Sequence, residues 1–217
     1  MVLREIIVNV LEIDRMTASP ADTIATLRIE IKYIEPLIWR RVAVRTSVNL
    51  MALHKVIQAT MGWLDYHLWE FVVDERRYGV PDPDRRHVKN GATTKLATIL
   101  ASGMTEFDYV YDFGDNWEHR IVVEQTAKAE TGAKYPSFLG GERRCPPEDC
   151  GGPPGNFDFI ENIARKNSKK AKEAFDWYGD SFDPDDIDEE QIKITLGRIA
   201  NAYRTGRSKP VKKLPPT

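Results

Sequence analysis

Residues 107–123 read FDYVYDFGDNWEHRIVV. Two runs of period-two alternation flank a polar centre. Phe107, Tyr109 and Tyr111 alternate with Asp108 and Val110, and Trp117, His119, Ile121 and Val123 share one face of the second run. That alternation is what half-buried strands require, so the stretch predicts an antiparallel hairpin with an aromatic inner face. Gly114 falls between the runs, where a tight turn calls for a residue that tolerates positive φ. The turn is also unusually dense in functional groups. Asp112, Asp115, Asn116, Trp117 and His119 crowd into YDFGDNWEH, residues 111–119.

Upstream, Leu27, Ile29, Ile31 and Tyr33 alternate with Arg28, Glu30 and Lys32, which predicts a strand over 26–33 ended by Pro36. A second strand is expected over 37–45, and a helix follows with Leu50, Leu53, Ile57 and Met61 at helical spacing, Ser47 or Asn49 as its cap and Gly62 as its stop. HLWEFVVD, residues 67–74, reads as strand, and Thr94 is placed to cap a short helix through Leu100. From Pro136 to Gly155 the Pro- and Gly-rich chain, including GGERRCPPEDCGGPPG, is expected to hold no regular element. Helices are expected after it, the first capped by Asn156, the second over 171–178 and the third over 188–203.

Strands and one helix come first and helices last, which argues for an α+β fold. The expected architecture is a mixed, largely antiparallel sheet with a β-grasp-like ββα start and a C-terminal group of helices. At 217 residues one domain is expected over 1–203, followed at 204–217 by a basic, Pro- and Gly-containing disordered tail.

A net charge of -2 gives no global case for nucleic acid. No apolar run approaches the ~20 residues that span a bilayer, and MVLREIIVNVLEIDRM is interrupted by charge and followed by no cleavage signal. No membrane is expected as a partner, and a cytoplasmic location is. The two cysteines are too few for a secreted disulfide framework.

Three sets of residues could carry chemistry. In the hairpin, Tyr111, Asp112, Asp115, Trp117 and His119 could wall a ligand site together with His67, Glu148 and Asp149. Asp and Asn are also ordinary turn formers, and His119 shares a face with Ile121, so the same residues could simply close a turn and fill a core. In CPPEDCGG, residues 145–152, Cys145 and Cys150 have metal-knuckle spacing but no second cysteine pair. Zinc would need His67 and His119 to complete a set, whereas Asp112, Asp115, Glu148 and Asp149 with a histidine would suit a hard cation and a hydrolytic water. A third reading has no metal at all. Finally, Trp39, Arg40, Arg41 and Arg45 make a basic, aromatic strand edge that could stack bases or grip phosphate, or could be a core tryptophan among solvated arginines. His54 reads as a helix boundary residue and His87 as solvated. No Gly-x-Ser-x-Gly elbow and no phosphate loop occur.

PLIWRRVAV (36–44), MGW (61–63), HLWEF (67–71), YDFGDNWEH and CPPEDCGG, in that order, resemble the Ri-plasmid ORF-three-like family over about residues 24–203. The resemblance implies an α+β domain, a plasmid and transposon context that includes TnpR-like passenger proteins, and no assigned reaction. Its signature positions are His67, Tyr111, Asp112, Phe113, Gly114, Asp115, Trp117, His119, Pro146, Pro147, Glu148, Asp149 and Gly151. The family expects an aromatic directly after Gly155, where this chain has Asn156 and then Phe157. The functional expectation is an accessory domain that binds a ligand, or a protein or nucleic-acid partner, between the hairpin and the CPPEDCGG loop. Its rivals are a zinc- or magnesium-dependent hydrolase, acting for example on phosphodiesters, and a nucleic-acid-binding protein.

Overall fold

Strict alternation in Thr23–Ile31 gives β1 one wholly buried face of Ala25, Leu27, Ile29 and Ile31, while Arg28 and Glu30 stand on the other. Tyr33, expected to extend that buried face, has left the strand at φ 62 and is exposed. The computed structural model describes residues 23–85, 87–165 and 167–205. The N-terminal segment read for a leader lies outside the described residues; of the disordered tail expected at 204–217, Arg204 and Thr205 instead close the last helix, and the remainder lies outside the described residues.

β2 (Trp39–Arg45) folds back antiparallel on β1, and α1 (Leu50–Met61) follows, completing the expected ββα opening. Asn49 caps α1 through its side chain, which accepts from the Ala52 amide at 2.8 Å. Gly62 ends the helix at φ 79, and its amide donates to the Gln58 carbonyl. Then come β3 (Trp69–Val73), β4 (Arg76–Gly79), β5 (Val88–Asn90), α2 (Leu96–Ala101), β6 (Glu106–Tyr111) and β7 (Trp117–Lys128). β8 (Ser137–Glu142), α3 (Gly152–Ala164), α4 (Lys169–Tyr178) and α5 (Glu189–Thr205) complete the described chain.

The strands form one sheet in the order β5-β4-β3-β6-β7-β1-β2-β8, with only the β4–β5 pair parallel. β7 is central. It pairs with β6 across the hairpin and with β1 in a register that sets Ile29 opposite Ile121 and Ile31 opposite His119. The inner face of the sheet packs on Leu50, Leu53 and Ile57 of α1 and on Ile192 and Leu196 of α5. A second small core of Phe159, Ile163 and Phe182 joins α3 to the segment after α4. The outer face is laced with charge. Arg41 grips Glu124 through two bonds, and Arg120 does the same to Glu106.

Two regions depart from the sequence expectation. Thr94 does not cap α2. Lys95 occupies that position without a side-chain bond, and the Thr94 hydroxyl donates to the Asn90 carbonyl instead. The Pro- and Gly-rich stretch holds both β8 and the start of α3. Gly141 lies so close to β2 that a Cβ there would sit 2.8 Å from the Trp39 carbonyl oxygen. Pro153 and Pro154 occupy the first turn of α3, where a missing N–H costs nothing. Asn156 is therefore not the cap: it is buried inside the helix, and Gly151 at φ 92 precedes the first turn.

Candidate functional site

The hairpin turn is built by its polar side chains. One Asp112 oxygen, Oδ1, accepts from the Gly114 amide at 2.9 Å, and the Asn116 amide donates to the Asp112 carbonyl at 2.6 Å. The positive φ expected at Gly114 falls instead on Asp112 and Asn116, both at 54°. These two residue types tolerate the left-handed region through local side-chain bonding.

The CPPEDCGG loop docks on this turn. The Tyr111 hydroxyl donates to Glu148 Oε1 at 2.5 Å and accepts from the Tyr66 and His67 amides at 3.1 and 3.4 Å, which uses all its bonding capacity. Glu148 Oε2 accepts from the Leu64 amide at 2.7 Å, and Trp63 Nε1 donates to the Pro146 carbonyl at 2.9 Å. Asp115 Oδ2 accepts from the Gly151 amide at 3.0 Å. Gly152 lies against the Asp115 carbonyl, with room for no Cβ: one would stand 2.4 Å from that oxygen. Burial pushes the Tyr111 phenol well above its usual range, and Glu148 on it adds to the effect. Burial also raises Glu148, opposed by its bonds from Tyr111 and Leu64.

At the rim of this seam three donor atoms from separate segments converge. His67 Nε2 lies 3.0 Å from Asp149 Oδ1 and 3.7 Å from Asp112 Oδ2. One ligand atom from each of the three residues lies within 4.8 Å of the others. The loop also borders a cavity of about 630 Å³, bounded by the end of α1, residues 144–148, residues 177–180 and the start of α5. No residue of 111–119 lines it.

The model of the plasmid pRiA4b ORF-3-like protein family matches residues 23–191, a span that includes the hairpin, the seam and the loop. The chain belongs to this family. The ORF-3-like chain is 37% identical over 166 residues to the uncharacterized protein y4hQ of Sinorhizobium fredii (strain NBRC 101917 / NGR234), covering 73% of this chain and 82% of that protein. It is also similar to the crystal structure of protein of unknown function MM3350 from Methanosarcina mazei Go1. There the TM-score is 0.71 at 33% identity, covering 77% of this chain and 96% of that one.

In this ORF-3-like protein the seam unites His67, Tyr111, Asp112, Asp115, Glu148 and Asp149. It does not include His119. That ring is wholly buried, and its Nδ1 faces the Trp117 and Tyr109 carbonyls at 3.0 and 3.3 Å. Burial pushes its pKa down to about 4. Trp117 is likewise a fully buried core side chain.

The expected zinc set of His67, His119, Cys145 and Cys150 is not assembled. Among the described residues, the group with metal-ligand proximity is His67, Asp112 and Asp149, and it contains no thiol. Both cysteines are free, and burial raises both thiols, Cys150 to about 12, so they stay protonated.

The four residues of the expected basic edge do not share one face. Arg40 turns inward and is 1% exposed, because residue 40 shares the inner face with Val42 and Val44. Trp39 lies under the Arg28 and Arg41 guanidinium groups, at 4.1 and 5.2 Å, and Arg45 lies over Tyr135.

His54, read as a boundary residue, is a buried hub. Its ring stacks on Trp69, Nδ1 meets the Tyr109 hydroxyl at 2.7 Å and Nε2 meets Asp65 Oδ1 at 2.7 Å. It ties α1 to the 62–67 segment that carries His67. The signal lay in the sequence, since His54 and Gln58 are four residues apart on the apolar stripe. No helix among the described residues is long and apolar enough to cross a membrane.

Proposed function

We propose that the chain is a binding domain for a small molecule bearing a carboxylate or phosphate. The hairpin pins the CPPEDCGG loop, and the loop walls the ligand cavity. The observation that carries this reading is Arg40. Arg40 lines the cavity and is almost fully buried, yet no carboxylate lies within ion-pair distance of its guanidinium among the described residues. Nε donates to the Thr60 carbonyl at 2.9 Å, and Nη1 donates to the Trp39 and Glu142 carbonyls at 2.8 and 2.9 Å. These bonds hold the group in place and leave the Nη2 donors uncommitted. Burial lowers the Arg40 pKa, the electrostatic mark of a cation removed from water without a counter-charge. A ligand oxyanion supplies that charge through the fork geometry in which Arg excels. Gln191 and Thr195, bonded to each other at 3.2 Å, line the same hollow, as do Arg144 and the carboxylates of Glu148, Asp180 and Asp188. A wider groove of about 1110 Å³ lies between α3, α4 and Phe182, but the buried residues lining it are apolar, with no buried cation to select a ligand.

Thermal unfolding with inorganic phosphate, nucleoside phosphates and mono-, di- and tricarboxylates tests the reading. A ligand present at 100 times its Kd contributes ~2.7 kcal/mol, which for a chain of this size raises Tm by roughly 5–10 °C. At least one of these anions is expected to do so, and Thr195→Trp, which fills the cavity from α5, is expected to abolish the shift. No shift with any of them, or a shift that survives Thr195→Trp, contradicts the reading.

A further inference from the structure

The geometry points to a second site, distinct from the cavity: a divalent transition-metal ion held at the rim of the seam by His67 Nε2, Asp112 Oδ2 and Asp149 Oδ1. These atoms come from three segments far apart in sequence, and each is aimed by a separate local constraint. The amide of His67 is bonded to the Tyr111 hydroxyl at 3.4 Å. Asp112 spends Oδ1 on the Gly114 amide, which leaves Oδ2 facing His67. Asp149 stands at φ 58, a backbone state uncommon for a residue with a Cβ, directly after the Glu148 that anchors the loop.

The three atoms converge without satisfying one another. His67 Nε2 is shielded from solvent and has no hydrogen-bond partner, although Asp149 Oδ1 is only 3.0 Å away. A hydrogen bond would require the N–H to point along that line, and the ring is not oriented for it. A shared cation removes the conflict. Ligands at 2.0–2.2 Å from one ion stand about 3 Å apart when they meet at right angles, and farther apart at wider angles, which fits separations of 3.0 and 3.7 Å.

Two carboxylates balance the charge of a divalent ion. One imidazole nitrogen with two carboxylate oxygens suits Mn²⁺ or Zn²⁺ better than Ca²⁺, which prefers all-oxygen shells. The Asp149 side chain is 64% exposed, so the remaining coordination positions open to solvent.

Titration of the full chain with MnCl2, followed by electron paramagnetic resonance and by calorimetry, tests the site; ZnCl2 competes for it. One ion per chain is expected. Asp149→Asn removes an exposed carboxylate that packs no core, and is expected to weaken Mn²⁺ binding about tenfold or more while leaving Tm in EDTA unchanged. His67→Gln is expected to weaken it further. Glu124→Gln, on the outer face of the sheet, is expected to leave it unchanged. The absence of stoichiometric Mn²⁺ and Zn²⁺ binding at millimolar concentration overturns the proposal. So does binding that His67→Gln and Asp149→Asn leave intact. The cavity reading survives either failure, because Thr195→Trp does not touch these three residues.

Discussion

At the scale of the residue, His119 shows how burial turns a titratable group into a pH sensor of stability. Its folded pKa of about 4 lies below the unfolded value of 6.5. The unfolded chain therefore binds a proton that the folded chain refuses, and stability falls as pH drops from about 6.5 toward 4. At 1.36 kcal/mol per pKa unit the full loss is about 3 kcal/mol, a large part of the ~5–15 kcal/mol that holds a typical domain together. His54 is also lowered by burial and acts in the same direction. Glu148, whose carboxyl burial raises, acts in the opposite direction: its contribution is present at low pH and is lost as pH rises through its folded value. Urea midpoints measured between pH 4 and pH 8 should therefore decline on the acid side. His119→Phe should flatten that decline by roughly 2–3 kcal/mol without removing the part due to His54. Equal slopes for the two proteins would show that the ring is not buried neutral.

At the scale of the element, the loop–helix junction is where the chain tolerates least. Gly155 packs so closely on the preceding turn that a Cβ would stand 1.7 Å from the Cys150 carbonyl oxygen. Gly155→Ala, a favourable change for helix propensity alone, should instead cost about 3 kcal/mol, read as a fall in the denaturation midpoint. A neutral or stabilising result would mean that α3 does not start as described.

Legibility in the sequence follows the range of the forces. β1, α1 with its Asn49 cap and Gly62 stop, and the two hairpin strands are written in local periodicity and capping chemistry, and all were readable. β8 was not, because GGE becomes strand only by pairing with Trp39–Arg41, about a hundred residues upstream. Asn156 looked like a cap because polar residues at helix starts usually are, yet two prolines had already opened the helix. In the site, the contact of hairpin and loop was expected, but Trp117 and His119 were placed in it although strand parity with Ile121 puts them in the core. The inward turn of Arg40 followed from strand parity with Val42 but was masked by its charge.

At the scale of the molecule, the central β1–β7 pairing brings the ββα opening and the hairpin into one sheet, and α5 closes over α1 from the far end of the chain. The loop of residues 145–151 stands between these parts. Pro146 and Glu148 bond it to the hairpin and the 63–64 turn, and these two residues with Trp63 and Leu64 also line the cavity. The cavity wall is therefore only as fixed as the loop's attachment, and the Tyr111–Glu148 bond is the shortest link in that attachment. A double-mutant cycle on unfolding free energy with Tyr111→Phe, Glu148→Ala and the pair measures it directly. Groups in such contact couple by 0.5–3 kcal/mol, and a coupling of about 1 kcal/mol or more is expected. Additivity within about 0.3 kcal/mol would mean that the loop is not docked on the hairpin, and the site built on that docking would fall with it.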